Sequence, residues 1–433
     1  MTRARKWWLG LGLALGVLAL FAIAVFRLIP SDQELAQRAA TELQARLGVP
    51  VSVGAVHWHL LPSPRVVIEN AVTRQPQPLE VRQLTAHLNP AALWQRRLKL
   101  DRAEVQGAVL PQLSLRELTL QPQSTAPNAA ENFEPDALPL AHLDFREVTW
   151  ISRHGKRLVF DGEADFDAGW RPRTAQLRRT GASPATDLTL TRQGQDDRWQ
   201  ARINVGGGTA NGALQLQTQA QGELHLTGQF QPQGIEAVSA LQAFHRSAIV
   251  AGKASGDTTL SASGVNLAEL AQSLHTRTKF SMGRSTLLRF DLDKAIRSVG
   301  REHAGKTPLD AITGQLDTQN TPQGMVVTGT HIKTRSGALS ASGQGRVANR
   351  NVEAEFSVDL VDGLVGVPLK LSGSLEKVQV SVPVGAVAGA AVGTAVLPGV
   401  GTALGARIGA ALAKIFGAGP AGAKNPAPRE KAR

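Results

Sequence analysis

The sequence predicts a mainly β protein. The expected architecture is an elongated, twisted β-sheet groove of bulged strands with short helices, one N-terminal transmembrane helix and a C-terminal glycine-rich helical hairpin. Three observations predict it: an uncharged apolar run near the N-terminus, an eight-residue apolar pattern that recurs after it, and glycines at every fourth residue near the C-terminus.

The apolar run comes first in the chain. From Trp7 to Phe26 there are 20 residues and no charge. At ~1.5 Å rise per residue such a helix covers ~30 Å, the thickness of a hydrocarbon core. Arg3, Arg5 and Lys6 precede it, and positive charge kept on the cytoplasmic side orients the helix with its N-terminus inside. Trp7 and Trp8 at one end, and Phe21 and Phe26 towards the other, are the expected anchoring residues. Ala22-Ile23-Ala24 resembles the cleavage site of a signal peptide. The apolar run nevertheless continues through Val25, Phe26, Leu28 and Ile29, so a retained anchor is expected.

Composition narrows the function classes. The chain has 433 residues, of which 42% are hydrophobic, enough for two or three domains with cores. Cysteine is absent, which excludes disulfides, thiol catalysis and cysteine-ligated zinc. Tyrosine is absent and aromatics make up 4%, too few for stacking platforms. The net charge of +12 is scattered, with no recognition helix, so no nucleic-acid partner is expected. Anionic lipid headgroups or a merely solvated basic surface remain open.

A capping-box pattern, Ser31-x-x-Glu34, opens a helix with Leu35, Ala39, Leu43 and Leu47 on one face, ended by Gly48 and Pro50. This helix is expected to set the distance between the bilayer and Val51, where the mouth of a groove would lie. The period then changes to two. The unit apolar-x-apolar-x-x-apolar-x-apolar occurs from Val51 and Val53, from Val66 and Ile68, from Leu79 and Val81, and from Leu98 and Leu100. Two near copies follow, Leu113-x-Leu115-Arg116-Glu117-Leu118-Thr119-Leu120 and Leu143-x-Phe145-Arg146-Glu147-Val148-Thr149-Trp150. Strand side chains alternate between faces, so the doubled x would turn the second apolar pair away unless one residue bulges out. The unit therefore predicts a bulged strand with one continuous apolar face. Val51, Val53, Val66, Ile68, Leu98, Leu100, Leu113 and Leu115 are the candidate groove residues.

Further along, residues 121–139 form a polar, proline-containing linker that reaches Pro135 and Pro139. Short strands are expected from 140 to about 232. Ile235, Val238, Leu241 and Phe244 then mark a short helix. A second β region is expected over 251–383. It includes a helix with Leu267, Leu270 and Leu274, a helix N-capped by Asp291, and strict alternation from Val352 to Leu360. In the tail, 384–433, Gly385, Gly389 and Gly393 and then Gly401, Gly405 and Gly409 have the small-xxx-small spacing of closely packed helices. Leu397-Pro398-Gly399 separates two helices of ~20–24 Å each. A self-packed cap and insertion into a membrane leaflet are both open for this hairpin.

The order of several segments resembles the AsmA family of bacterial envelope proteins. After the anchor (1–29) the family's chorein-like N-terminal region is matched over 30–120. The matching segments are Leu43-x-x-x-Leu47-Gly48-x-Pro50-Val51-x-Val53, Leu60-Leu61-Pro62-Ser63-Pro64, Leu84-x-Ala86-x-Leu88-Asn89-Pro90-Ala91-Ala92-Leu93-Trp94 and Leu98-x-Leu100-Asp101-Arg102. Within 251–383, Gly256-Asp257-x-x-Leu260-x-Ala262-x-Gly264, Ser342-Gly343-x-Gly345 and Val367-Pro368-Leu369-x-Leu371-x-Gly373-x-Leu375 resemble its C-terminal domain. Glu376-Lys377-Val378 departs from the family's acidic residue and proline. The resemblance implies a non-enzymatic lipid-transfer groove, anchored once in a bacterial inner membrane with its bulk in the periplasm and serving outer-membrane biogenesis. Phospholipid and the inner membrane are the implied partners, with the outer membrane or another envelope protein beside them. At ~4.8 Å per strand, on the order of 20 strands span ~95 Å, so the chain is not expected to bridge two membranes alone. A non-transporting scaffold or regulator of outer-membrane protein assembly is the alternative.

No cofactor or metal is expected. Gly300 to Thr307 matches the phosphate-loop spacing. Such a loop must follow a strand and open a helix, whereas a helix is expected before it and Pro308 follows at once. His57 and His59 lie two apart on one strand with no third ligand at useful spacing, and are read as exposed.

Overall fold

The computed structural model describes residues 32–381, apart from 60–62, 119–133, 169–170, 220–221, 266, 298–301, 322, 338, 360–365 and 376. The anchor residues Trp7, Trp8, Phe21 and Phe26, and the glycine series 385, 389, 393, 401, 405 and 409, lie outside the described residues. Among those described, no helix is long and apolar enough to cross a membrane. The chain is mainly β and divides into two compact units. One holds Met1–Ser281 with Leu316–Met325, the other Met282–Gln315 with Val326–Arg433. The change of unit thus falls at Met282, not at 251, because the strand after Val250 continues the first unit's sheet.

In the first unit, helix α1 (Asp32–Leu47) leads to β1 (Val51–Ser52), β2 (Ala55–His59), β3 (Arg65–Thr73) and β4 (Glu80–Leu88). A short helix α2 (Pro90–Trp94), β5 (Arg97–Pro111) and a second short helix α3 (Gln112–Glu117) follow. Next come β6 (Glu134–Ile151), β7 (Arg157–Asp167), β8 (Arg171–Arg179) and β9 (Asp187–Arg192). Then β10 (Arg198–Val205), β11 (Gly208–Thr218), β12 (Leu224–Gln233) and β13 (Ile235–Glu236) precede helix α4 (Ala237–Gln242). The unit continues with β14 (Val250–Ala251), β15 (Lys253–Gly264), helix α5 (Leu267–Ser273) and β16 (His275–Met282). Neighbouring strands pair antiparallel from β2 through β5 and from β6 through β12, and β12 then pairs with β15. Between these runs β5 and β6 pair parallel.

In the second unit lie β17 (Ser285–Leu287), helix α6 (Leu292–Arg297) and β18 (Thr307–Leu309). The strand β19 (Ala311–Thr321) and its partner β20 (Gly324–Ser336) lead into β21 (Leu339–Ala348), β22 (Asn351–Asp359), β23 (Gly366–Ser374) and β24 (Lys377–Ser381). β20 to β24 form an antiparallel meander. Leu292, Ala341, Val358 and Leu369 make its core. Asp291 caps α6 as expected, its Oδ1 accepting from the Lys294 N–H at 2.9 Å.

The doubled x positions are where the strands deform. In β5 the register with β4 shifts between His87 and Leu88, leaving Asp101 as the extra residue. In β6 it shifts between Phe145 and Val148, and Glu147 takes a φ of 54°. In β3 the kink is carried by Asn70 at φ 52°. Asn70, Arg82, Gly107 and Glu147 stand in one row across β3 to β6, as the paired residues beside them show. Gly107 sits at φ 66°, a conformation that strains any other residue, and a Cβ there would come within 2.8 Å of the Arg82 guanidinium, which would have to move aside. Arg82 lies across this glycine and reaches Glu147 on the far strand at 3.1 Å.

Two expectations fail here. The described part of the Leu113 to Leu120 unit, up to Leu118, is not a bulged strand: Gln112–Glu117 is helical, Leu113 is 41% exposed and Leu115 is half-buried. Leu115 and Leu118 are also spaced i, i+3, which suits a helix, and Leu118 packs with Leu43 and Leu47. The buried Ser114 ties the helix down by donating to the Gln77 carbonyl. The linker also ends sooner than expected. β6 begins at Glu134 and runs through Pro135 and Pro139, pairing Leu98 with Pro135 and Leu100 with Leu140.

Candidate functional site: one apolar face, covered and uncovered

The first strands place Val56, Val66, Ile68, Ala86, Leu98, Leu100, Ala103 and Leu140 on one face. Helix α1 lies against it. Leu35, Ala36 and Ala39 belong to the same cluster, and Leu35, Val56 and Leu140 are 0% exposed. The other end of α1 packs Leu43 and Leu47 against Val49, Val51 and Val53. The candidate groove residues Val66, Ile68, Leu98 and Leu100 are therefore closed core, and Val51 and Val53 lie beside the end of the helix. The strands do share a face, but helix α1 covers it instead of standing away from it. The reason is the apolar stripe of α1, which must be buried somewhere.

Orientation along the sheet also changes. Asp32, the first described residue, holds His57 Nδ1 at 3.0 Å near the end of β2, while Leu47 neighbours Val51 at the start of β1. The 16-residue helix is ~24 Å long. The end of the sheet nearest residue 32 is thus where β2 ends and β3 begins, and Val51 lies at the far end.

Beyond β5 the same face continues in register. Leu143 pairs with Ala164, Ala164 with Ala175, and Ala175 with Leu190. One row over, Phe145 pairs with Gly162, Gly162 with Leu177, Leu177 with Leu188 and Leu188 with Ile203. A third row joins Val148 to Phe160, and a fourth Trp150 to Leu158. The cluster under α1 extends as far as Leu140 of β6 and Ala164 and Phe166 of β7. From β6 to β9, Phe145, Val148, Trp150, Leu158, Phe160, Leu177 and Leu188 remain partly exposed. On the far side of this strip α5 covers the face again: Leu270 packs with Trp199, Leu216, Leu224 and Ala262, and the Trp199 indole N–H donates to the Pro172 carbonyl at 2.7 Å.

Phe145 fits flat against its partner. A Cβ on Gly162 would meet the Phe145 ring at 2.4 Å. Phe230 over Gly212 and Phe356 over Gly343 repeat the arrangement, so the glycines give the rings close access to the sheet.

A buried cation, Arg179, stands on the apolar side beside Phe160. It pairs with Phe160 and is 8% exposed. Its guanidinium donates to the Val159 carbonyl at 3.1 Å and to the Thr180 carbonyl, and lies 5.8 Å from the Phe160 ring centroid. Burial lowers its pKa below the usual arginine range.

The opposite face is polar and ion-paired. Arg102 bridges Glu104 at 2.9 Å and Asp144 at 2.5 Å, and His142 bridges Asp144 at 3.1 Å and Asp165 at 2.7 Å. The hydrogen bond from Thr174, and then that from His142, holds the Asp165 carboxyl below its usual range. His142, Asp144 and Glu163 bring ligand atoms within 4.8 Å of one another. Arg102 already neutralises Asp144, so this is a rung of an ion-pair ladder. His57 is held by Asp32, and His59 is exposed at the end of β2. Thr307 opens β18 and not a helix: its buried hydroxyl accepts from the Leu292 N–H at 2.8 Å and donates to the Phe290 carbonyl at 2.9 Å.

The partly exposed strip went unseen in the sequence, because β7 to β9 lack the eight-residue unit. Its signal was present as plain alternation, Leu158-x-Phe160 and Leu188-x-Leu190. The chain matches no family model, no curated protein and no solved structure.

Proposed function

We propose that the chain is a membrane-anchored lipid-binding groove protein that holds phospholipid acyl chains against the partly exposed apolar strip of β6 to β9. The observation that supports this most is the one-sidedness of the strip. Apolar side chains follow one another in register across four strands, while their alternates on the other face, such as Arg146, Glu163, Gln176 and Arg178, are exposed and polar. Acyl methylenes laid on such a strip gain about 0.8 kcal/mol each when fully buried, and the headgroup can stay in water. Inner-membrane attachment, a periplasmic body, a non-enzymatic role and a part in outer-membrane biogenesis extend the same reading through the AsmA resemblance.

The covered face beneath α1 favours a second reading, a scaffold that carries no lipid. Native mass spectrometry of the detergent-purified full chain separates the two. The lipid reading expects co-purified phospholipid that is lost when Phe160→Asp and Leu177→Asp are combined. A wild-type chain free of phospholipid sinks it.

A further inference from the structure

We propose that Trp94 seats the β2–β5 end of the sheet in the headgroup layer of the bilayer. Trp94 is 92% exposed, far more than any other large hydrophobic among the described residues. Scattered apolar side chains on a surface are ordinary. This one differs because the turn beneath it is fastened. The Asn89 side chain accepts from the Ala92 N–H at 2.8 Å and donates to both Asp101 carboxylate oxygens at 2.9 and 3.1 Å. Ala92 is buried, and Leu93 packs against the core cluster that contains Leu35 of α1. With its neighbours locked, the indole projects from a fixed base.

Its place in the fold points to the occupant. Asp32 sits against His57 at the end of β2, the same end that α2 closes between β4 and β5. Residues 27–31 join Asp32 to the uncharged run that ends at Phe26. The six steps from Phe26 to Asp32 reach at most ~22 Å, so a bilayer holding that run would lie within that distance of this end. An indole, apolar in body and polar at its N–H, prefers the headgroup interface. Arg96 and Arg97 follow it directly, and Arg65 opens the neighbouring β3; all three are exposed. Basic side chains at such a surface are drawn to anionic headgroups. The inference rests on the anchor reading, and the test separates the two.

The full chain is reconstituted in phosphatidylethanolamine–phosphatidylglycerol vesicles containing phospholipid brominated near the headgroup. Flotation of the vesicles reports the anchor. Emission of the wild type minus that of Trp94→Phe isolates Trp94 among the 7 tryptophans. At so exposed a site this substitution leaves the fold intact. The docking expects a blue-shifted difference emission that the bromines quench, and a loss of quenching when Arg96 and Arg97 are both changed to Gln. A chain that floats while the difference emission stays water-like and unquenched overturns the docking alone. A chain that does not float overturns the anchor and the docking with it.

Discussion

The strands under α1 and the strands from β6 to β9 present one continuous apolar face, yet they meet different fates. Under α1 the face is sealed: Val56, Ile68 and Leu100 are at most 2% exposed. Past β6 the same alternation leaves Phe160, Leu177 and Leu188 half-exposed. The difference lies in what is laid on the sheet, not in the strands. A helix whose own apolar stripe needs burial turns one stretch into core, and among the described residues the next stretch stays partly exposed.

Placing one charge in each region should separate them most sharply. Ile68→Asp buries a carboxylate with no partner and should cost on the order of 4 kcal/mol or more, unfolding the chain at lower denaturant. Leu177→Asp, at a half-exposed position, should cost about 1 kcal/mol or less while reducing retained lipid. Equal losses of stability at the two sites would erase the distinction. Next in size is Leu35→Ala, which leaves a cavity under α1 and should cost about 2–5 kcal/mol. If the helix is the cover, a photo-crosslinker at Ala103 should label lipid more strongly in this variant than in the wild type.

Acid should weaken the outer face before the inner one. A hydrogen bond from Thr174, then one from His142, depresses Asp165; a hydrogen bond from His275 does the same for Asp317. Burial pushes Glu236 up, but hydrogen bonds from Ser239, Val238 and Gly252 outweigh it and leave it lowered. Each group therefore stabilises the fold above its ordinary pKa, 3.8 for the aspartates and 4.5 for the glutamate. That stability is lost as pH falls through the lower folded values. Denaturant midpoints should stay level with respect to these groups above about pH 5 and fall below about pH 4, and Asp165→Asn should flatten part of that fall. Arg82→Ala should have the smallest effect, about 0–1 kcal/mol, because both partners of its bridge to Glu147 are exposed. A larger loss would mean that the row of left-handed residues depends on it.

Much of the first unit was legible because bulged strands leave a doubled x. Asp101 and Glu147 mark such breaks, and the i, i+4 stripe of α1 reads directly from Leu35, Ala39, Leu43 and Leu47. Where α1 lies could not be read, since a stripe states that burial is needed but not against what. Leu113 to Leu120 misled because six residues with leucines at i, i+2 and i+5 suit a bulged strand and a short helix alike, and the tie from Ser114 to Gln77 is non-local. The partly exposed strip stayed hidden because exposure depends on what packs above the sheet, and no local pattern records that.

The parallel pairing of β5 with β6 has a consequence for assembly. Val105 faces Phe145, so this seam closes across 40 residues, while its neighbours close across short turns. Relative to a loop of about ten residues that costs about 1.2 kcal/mol of extra chain entropy. The segment that follows β5 at once, Leu113 to Leu120, is a near copy of Leu143 to Trp150 and reaches the edge of β5 sooner. A competing hairpin on that edge would be disfavoured by the ties that hold the nearer copy elsewhere, Ser114 to the Gln77 carbonyl and Leu118 to Leu43 and Leu47. Refolding rates of a Ser114→Ala chain, slowed by a longer-lived wrong hairpin, would reveal this competition.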